Sequence, residues 1–253
     1  MNTAIIIPAR YGSHRLPGKP LLRSTGKYLI QHVYERACRA KRAQEVLVAT
    51  DDSRILAAVQ SFGGRAVLTR RDHMSGTDRV AEASMHVNAE IIINLQGDEP
   101  LIDPQSLDHL PELLLKDRGA DVATLAAPIV RDDQWRNPNC VKVVCGLDGR
   151  ALYFSRSPIP FVRDGQPNFH ARPARFLQHI GLYGFRKTFL AEFASLKSVA
   201  LEETEKLEQL RILAAGRAIQ VGLVNGAEPG VDTYDDYQRF VAECRKRRGE
   251  RAA

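Results

Sequence analysis

Three short apolar runs, each broken off by a polar loop, constrain this chain more than anything else in it. They are IIIP from residue 5, EVLVAT from residue 45 and EIIINL from residue 90. Runs without polar alternation mark strands covered on both faces, as in parallel sheets. Between the first two, Leu29, Ile30, Val33, Tyr34, Ala37 and Ala40 recur at helical spacing over residues 27–43. Asp51 and Asp52 then open a second helix by capping it, and residues 65–69 read as a further strand. The order βαβαβ predicts an α/β fold with a mixed, mostly parallel central sheet flanked by crossover helices.

The second half departs from that alternation. A helix over 104–116 and a strand over 121–130 are followed by runs at 137–145 and 151–154, whose turn at 146–149 predicts a hairpin. Residues 131–186 therefore read as a smaller antiparallel subdomain within one domain of 1–253. Residues 201–213 (LEETEKLEQLRIL) form one amphipathic stretch with Leu207, Leu210 and Leu213 facing the core. A strand over 218–224 and a final helix after 230–233 complete the order.

Chemistry collects where the apolar runs stop. In an open α/β sheet, ligands sit beyond the carboxyl ends of the strands. The first run is expected to end at Pro8, and the loop behind it holds Arg10, His14, Arg15 and Lys19 with Gly12, Pro17, Gly18 and Pro20. Such cations and free backbone N–H groups suit a polyphosphate. The loop is neither a Walker loop, since five residues separate its glycines and Pro20 follows Lys19, nor a dinucleotide fingerprint. The third run ends in Gln96-Gly97-Asp98-Glu99-Pro100, where a carboxylate at a strand tip is placed to hold a hard cation against phosphate oxygens. Gly97 would let two backbones approach closely. Residues 70–79 (RRDHMSGTDR) carry Arg71, Ser75, Gly76 and Arg79 into a helix start, which capping by Ser75 or Thr77 would explain equally well. Asp232 is open to the same two readings, as a helix cap or as a ligand.

Charge excludes one class of partner. The net charge is +6, but residues 245–251 contribute four of the six, so the body is close to neutral and lacks an aromatic stacking platform for nucleic acid. Cys38, Cys140, Cys145 and Cys244 form no C-x-x-C pair, which disfavours a thiolate metal site. No signal peptide and no run of the ~20 apolar residues needed to span a bilayer occurs, so a cytoplasmic protein without a membrane span is expected.

The segment P-A-R-Y-G-S-x-R-L-P-G-K-P-L at residues 8–21 resembles the signature of the 3-deoxy-manno-octulosonate (KDO) cytidylyltransferases, as do N-x-Q-G-D-E-P ending at Pro100, F-S-R ending at Arg156, F-L-x-H-x-G-x-Y from Phe176, L-E-Q-L-R from Leu207 and G-V-D-T ending at Thr233. The resemblance runs from Ile5 to about Tyr237, and departs from the family at Tyr28, where proline is usual, and in the basic tail. It implies a Rossmann-like nucleotidyltransferase fold and transfer of CMP from CTP to the anomeric hydroxyl of KDO for lipopolysaccharide biosynthesis. By the same resemblance Arg10, Arg15, Lys19 and Asp98 would be catalytic, and Ala9, Ser13, Arg71, Ser75, Gly76 and Arg79 would join the first three on the nucleotide. Gln96, Arg156, His179, Tyr183, Glu208 and Gln209 would hold the sugar acid. Asp98 and Asp232 would bind Mg²⁺, and the chain would form a homodimer. The same chemistry on 8-amino-KDO or a neuraminate, and a non-catalytic nucleotide-binding regulator, are the alternatives.

Overall fold

A computed structural model describes residues 1–12, 15–226 and 228–252, without the side chains of 248–252. The elements run β1 (Thr3–Ala9), α1 (Leu29–Ala37), β2 (Ala43–Thr50), α2 (Ser53–Ser61), β3 (Ala66–Leu68), α3 (Gly76–Ala83), β4 (Ile91–Asn94) and α4 (Pro104–Lys116). They continue with β5 (Val122–Pro128), α5 (Asp132–Arg136), β6 (Lys142–Cys145), β7 (Ala151–Ser155), β8 (Leu177–Arg186) and α6 (Lys187–Phe193). Last come α7 (Ala200–Glu205), α8 (Gln209–Ala214), β9 (Ile219–Leu223) and α9 (Tyr234–Ala252). The chain divides into two compact units, residues 1–108 with 228–253 and residues 109–227.

In the first unit β3, β2, β1 and β4 lie in that order and all pair in parallel. Sequence neighbours β1, β2 and β3 step one way from β1, while β4 lies on its other side. The order thus reverses between β1 and β4, and the ends of those two strands form a switch point. The apolar runs behave as their composition requires: Ile5, Ile6, Ile7, Ile91 and Ile92 have no exposed surface. A second apolar cluster joins Leu16 and Leu29 to Val231, Tyr237 and Phe240, which ties the loop after β1 to the region opening α9.

Two details of this unit differ from the sequence expectation. Strand β1 continues through Pro8 to Ala9, pairing with Ala49 and Thr50 of β2. It can do so because the carbonyl of Ile6, two residues earlier, faces β4 and accepts from Leu95 N, so the N–H that Pro8 lacks would point to the side where the β4 ladder has ended. Helix α1 stops at Ala37, well short of residue 43, and Ala43 already belongs to β2.

In the second unit β5 is central, antiparallel to β8 and parallel to β9. Beyond β8 come β6 and then β7, each antiparallel to its neighbour, so the expected hairpin is present. A register shift in the β5–β8 pair puts Tyr183 opposite Thr124 and Ile180 opposite Leu125, leaving Gly181 and Leu182 as a bulge. The amphipathic stretch 201–213 is not one helix. It breaks into α7 and α8 at Lys206, which takes the left-handed conformation with φ 53°. Leu207, Leu210 and Ile212, rather than Leu213, are the buried apolar residues.

Candidate active site

The loop after β1 is folded back on itself. Gly18 N donates to Tyr11 O (3.0 Å), and Gly18 sits at φ 67°, a conformation that a side chain disfavours. A short 3-10 turn over Lys19–Leu21 with Pro20 inside it follows, and it turns the Lys19 side chain inward. Gly97 meets the need foreseen for it: a Cβ there would fall 2.8 Å from Pro8 O. The absent side chain is what lets the turn after β4 lie against the end of β1.

That approach brings the charges together. Lys19 Nζ donates to Asp98 Oδ2 (2.7 Å), to Val231 O (2.9 Å) and, more weakly, to Asp232 Oδ1 (3.4 Å). Arg15 Nη2 reaches the same Asp232 oxygen at 3.0 Å. The question left open for Asp232 is answered by α9, whose first turn is capped by Thr233: its hydroxyl receives Asp236 N (3.2 Å), while Asp236 Oδ2 accepts from Thr233 N (2.8 Å). Asp232 is therefore free of the cap and faces the cations. Beside Asp98, burial and then the Asp98 charge push the Glu99 carboxyl up to about 8, so the turn does not carry two negative charges at neutral pH.

A cavity of about 350 Å³ opens over this cluster, lined by Ala9, Arg10, Arg15, Lys19, Ser75, Gly76, Gln96, Asp98 and Asp232 among others. Arg10 is exposed on its rim and makes no ion pair among the described residues. Ser75 caps α3 in a reciprocal box with Asp78, so that the cap reading holds, and Ser75 and Gly76 also line the cavity. Arg79 lines the wall, but its guanidinium is engaged with Asp51 (2.9 Å), Thr69 Oγ1 (2.5 Å) and Arg70 O (3.2 Å). It acts as a brace. Arg71 is exposed and is not part of the lining, and Ser13 and His14 lie outside the described residues. His73 and Met74 line the cavity without having been singled out. His73 is anchored to Glu82, nine residues on, a pairing that only the return of α3 along the loop creates.

The sugar-acid candidates other than Gln96 fall in the second unit. His179 is 8% exposed, packs edge-on against Phe154 and lies 5.4 Å from the Tyr183 ring, so the shared strand face is real. Its Nε2 lies 2.9 Å from Thr124 Oγ1, whose one proton has carbonyl acceptors at Leu182 (2.8 Å) and Ile180 (3.1 Å). The imidazole is then the donor in its contact with Thr124, which leaves Nδ1 as an acceptor. Burial holds this imidazole neutral, with its pKa down to about 3. Burial, followed by the charge of Glu208, drives the Tyr183 hydroxyl well above its ordinary range. Gln209 is buried at the start of α8. Arg156 is largely committed to main chain, donating to Glu205 O (2.7 Å), Pro138 O (3.0 Å) and Lys206 O (3.3 Å). Among the described residues this leaves two of its five N–H groups.

Among the described residues no three His, Cys, Asp or Glu side chains gather as a metal cluster. No helix among the described residues is long and apolar enough to cross a membrane.

A parallel sheet with cations and carboxylates at its switch point defines a nucleotide-handling α/β fold, and known proteins narrow it. Residues 4–219 match the family described as Cytidylyltransferase. The 3-deoxy-manno-octulosonate cytidylyltransferase of Syntrophobacter fumaroxidans is 51% identical over 95% of this chain and 96% of its own, and that of Rhodopirellula baltica is 48% identical over 96% and 98%. The enzyme of the same name from Escherichia coli is 49% identical over 92% of each chain. A solved structure of CMP:2-keto-3-deoxy-manno-octonic acid synthetase complexed with CTP has a TM-score of 0.91 at 46% identity, covering 98% of this chain and 100% of that one. A cytidylyltransferase from Leptospira borgpetersenii, 20% identical with a TM-score of 0.62, shares the fold. The chain belongs to the cytidylyltransferases and, within them, to the 3-deoxy-manno-octulosonate cytidylyltransferase family.

Proposed function

We propose that this protein transfers CMP from CTP to the anomeric hydroxyl of KDO, giving CMP-KDO and pyrophosphate. The observation that carries the reading is the convergence of Arg15, Lys19, Asp98 and Asp232 at the switch point between β1 and β4. The hydroxyl oxygen attacks the α-phosphorus, the bond to the pyrophosphate oxygen breaks, and the hydroxyl proton is lost. Charge builds on phosphoryl oxygens throughout, so catalysis is mainly positioning and cationic stabilisation. Arg10, Arg15 and Lys19 supply that charge. The first amides of α3 and the backbone at Ala9 hold the rest of the nucleotide.

The carboxylates fit a divalent cation. Asp98 and Asp232 already turn toward one positive centre, and Mg²⁺ is commonly held by one or two carboxylates with substrate phosphates completing its shell. When bound there, Mg²⁺ would neutralise phosphate charge and favour the ionised hydroxyl. On the acid, Glu208, Gln209 and Tyr183 offer polar partners, His179 offers a neutral acceptor, and the two spare N–H groups of Arg156 suit the sugar carboxylate. No side chain is needed as a general base. Work in the cytoplasm and assembly as a homodimer complete the reading.

Pyrophosphate release with CTP, Mg²⁺ and each of KDO, its 8-amino analogue and a neuraminate tests it. Release with KDO at the highest kcat/KM is expected. Preference for another acid would keep the chemistry and move the substrate, and CTP binding without release from any acid would favour a regulator.

A further inference from the structure

Lys142 opens β6 with no exposed surface, an unusual place for an ammonium. Its Nζ donates to Arg156 O (2.5 Å), Cys140 O (2.7 Å) and Asn137 O (3.0 Å). Three N–H groups meet three carbonyls, so the charged form is fully satisfied. An apolar side chain could fill the same volume, but it would leave three main-chain carbonyls without this donor. What the ammonium adds is direction: it ties the segment before β6 to the end of β7.

From there the network leads to the break between α7 and α8. Ser155 Oγ and Arg156 N hold the two carboxylate oxygens of Glu205 (2.5 and 2.9 Å), and the Arg156 guanidinium takes the carbonyls of Glu205 and Lys206. Lys206 is the one non-glycine residue with positive φ among the described residues. An L-residue reaches that conformation at a cost, and it persists where surroundings impose it. Two and three residues beyond lie Glu208 and Gln209.

We propose that Lys142 is a positioning residue for the sugar-acid half of the reaction: its ammonium fixes Arg156, and Arg156 fixes the left-handed turn at Lys206 that places Glu208 and Gln209. The inference rests on the reading that these two residues meet the acid. Lys142→Met should raise KM for KDO about tenfold or more, while the Kd for CTP, measured by calorimetry, stays within about twofold. Lys206→Gly, which enters the left-handed region freely, should recover part of that loss in the double variant. A KM for KDO within about twofold of wild type in folded Lys142→Met, or an equal loss for CTP and KDO, overturns the proposal. Should Lys142→Met melt below the assay temperature, Ser155→Ala loosens the same turn more gently, and an unchanged KM for KDO in that variant would overturn it too. Wild-type enzyme that uses a different acid would instead sink the substrate reading, and the same variants then test Lys142 on that acid.

Discussion

The two units of this protein build polar sites by opposite means. In the first, charges stand on loops beyond the ends of parallel strands, remain partly open to solvent, and neutralise one another across the cavity floor. Lys19 is 12% exposed there and Asp232 46%. In the second, His179, Tyr183 and Glu208 stand on and beside an antiparallel strand, and burial is strong enough to keep the imidazole neutral. The difference suits the ligands. A triphosphate needs cations that can leave one partner for another, whereas a neutral sugar ring needs fixed donors and acceptors at set distances.

If the first site works through exchangeable charge, removing its best-held carboxylate should do the greatest damage. Asp98→Asn is expected to lower turnover about a thousandfold at saturating Mg²⁺ with the circular dichroism unchanged. Near-normal turnover would break the comparison at its root. Glu208→Gln should act on the other side only, raising KM for the acid about ten- to a hundredfold and leaving KM for CTP unchanged. His179→Gln should raise the same KM about tenfold without altering the shape of the pH–rate profile between about pH 5 and 8. An imidazole whose pKa is held at about 3 has no titration to contribute there. The same depression has a stability consequence. Stability linked to His179 is present above its unfolded value near 6.5 and is lost as pH falls toward 3, so His179→Gln should flatten the acid limb of a melting-temperature curve over that window.

The smallest effect expected is a control outside both sites. Asp52 caps α2, and hydrogen bonds from Arg54 hold its carboxyl near 2. Asp52→Ala should cost about 1 kcal/mol of stability in urea unfolding, with no change in either KM. The cap's contribution should persist above the unfolded value of 3.8 and fade as pH falls through 2.

The contrast also explains what could be read from the sequence. Strands β1, β2 and β4 and the two loops beside them were legible because a buried parallel strand is an unbroken apolar run and its ligand loop begins where the run ends. The close approach at Gly97 and a carboxylate at the strand tip followed from that placement, and the role of Asp98 as a metal ligand came through resemblance. The assignment of His179, Tyr183, Glu208 and Gln209 came through resemblance, since a histidine on an apolar strand has the same pattern whether it packs or binds. The split at Lys206 left no local trace: nothing in LEETEKLEQLRIL breaks a helix, and the break is held by Arg156 and Glu205 from fifty residues apart. Thr233 displaced Asp232 as the α9 cap for a reason that periodicity does not carry, because both residue types cap well and each has an aspartate three residues on, Asp235 and Asp236; the reciprocal bonds of Thr233 with Asp236 show which pair forms. Lys142 was invisible for a similar reason. One lysine in a strand pattern reads as an edge charge until its three carbonyl partners are seen.

The most direct test of this division of labour is a crossed binding titration by calorimetry. CTP with Mg²⁺ would be titrated into wild type, Lys19→Met and Glu208→Gln, and KDO into each of the three saturated with a non-transferable CTP analogue. Lys19→Met should lose CTP affinity about tenfold or more, and Glu208→Gln should bind CTP as wild type does but lose KDO by a similar factor. A Glu208→Gln variant that lost CTP as severely as KDO, or one that kept KDO unchanged, would contradict the account.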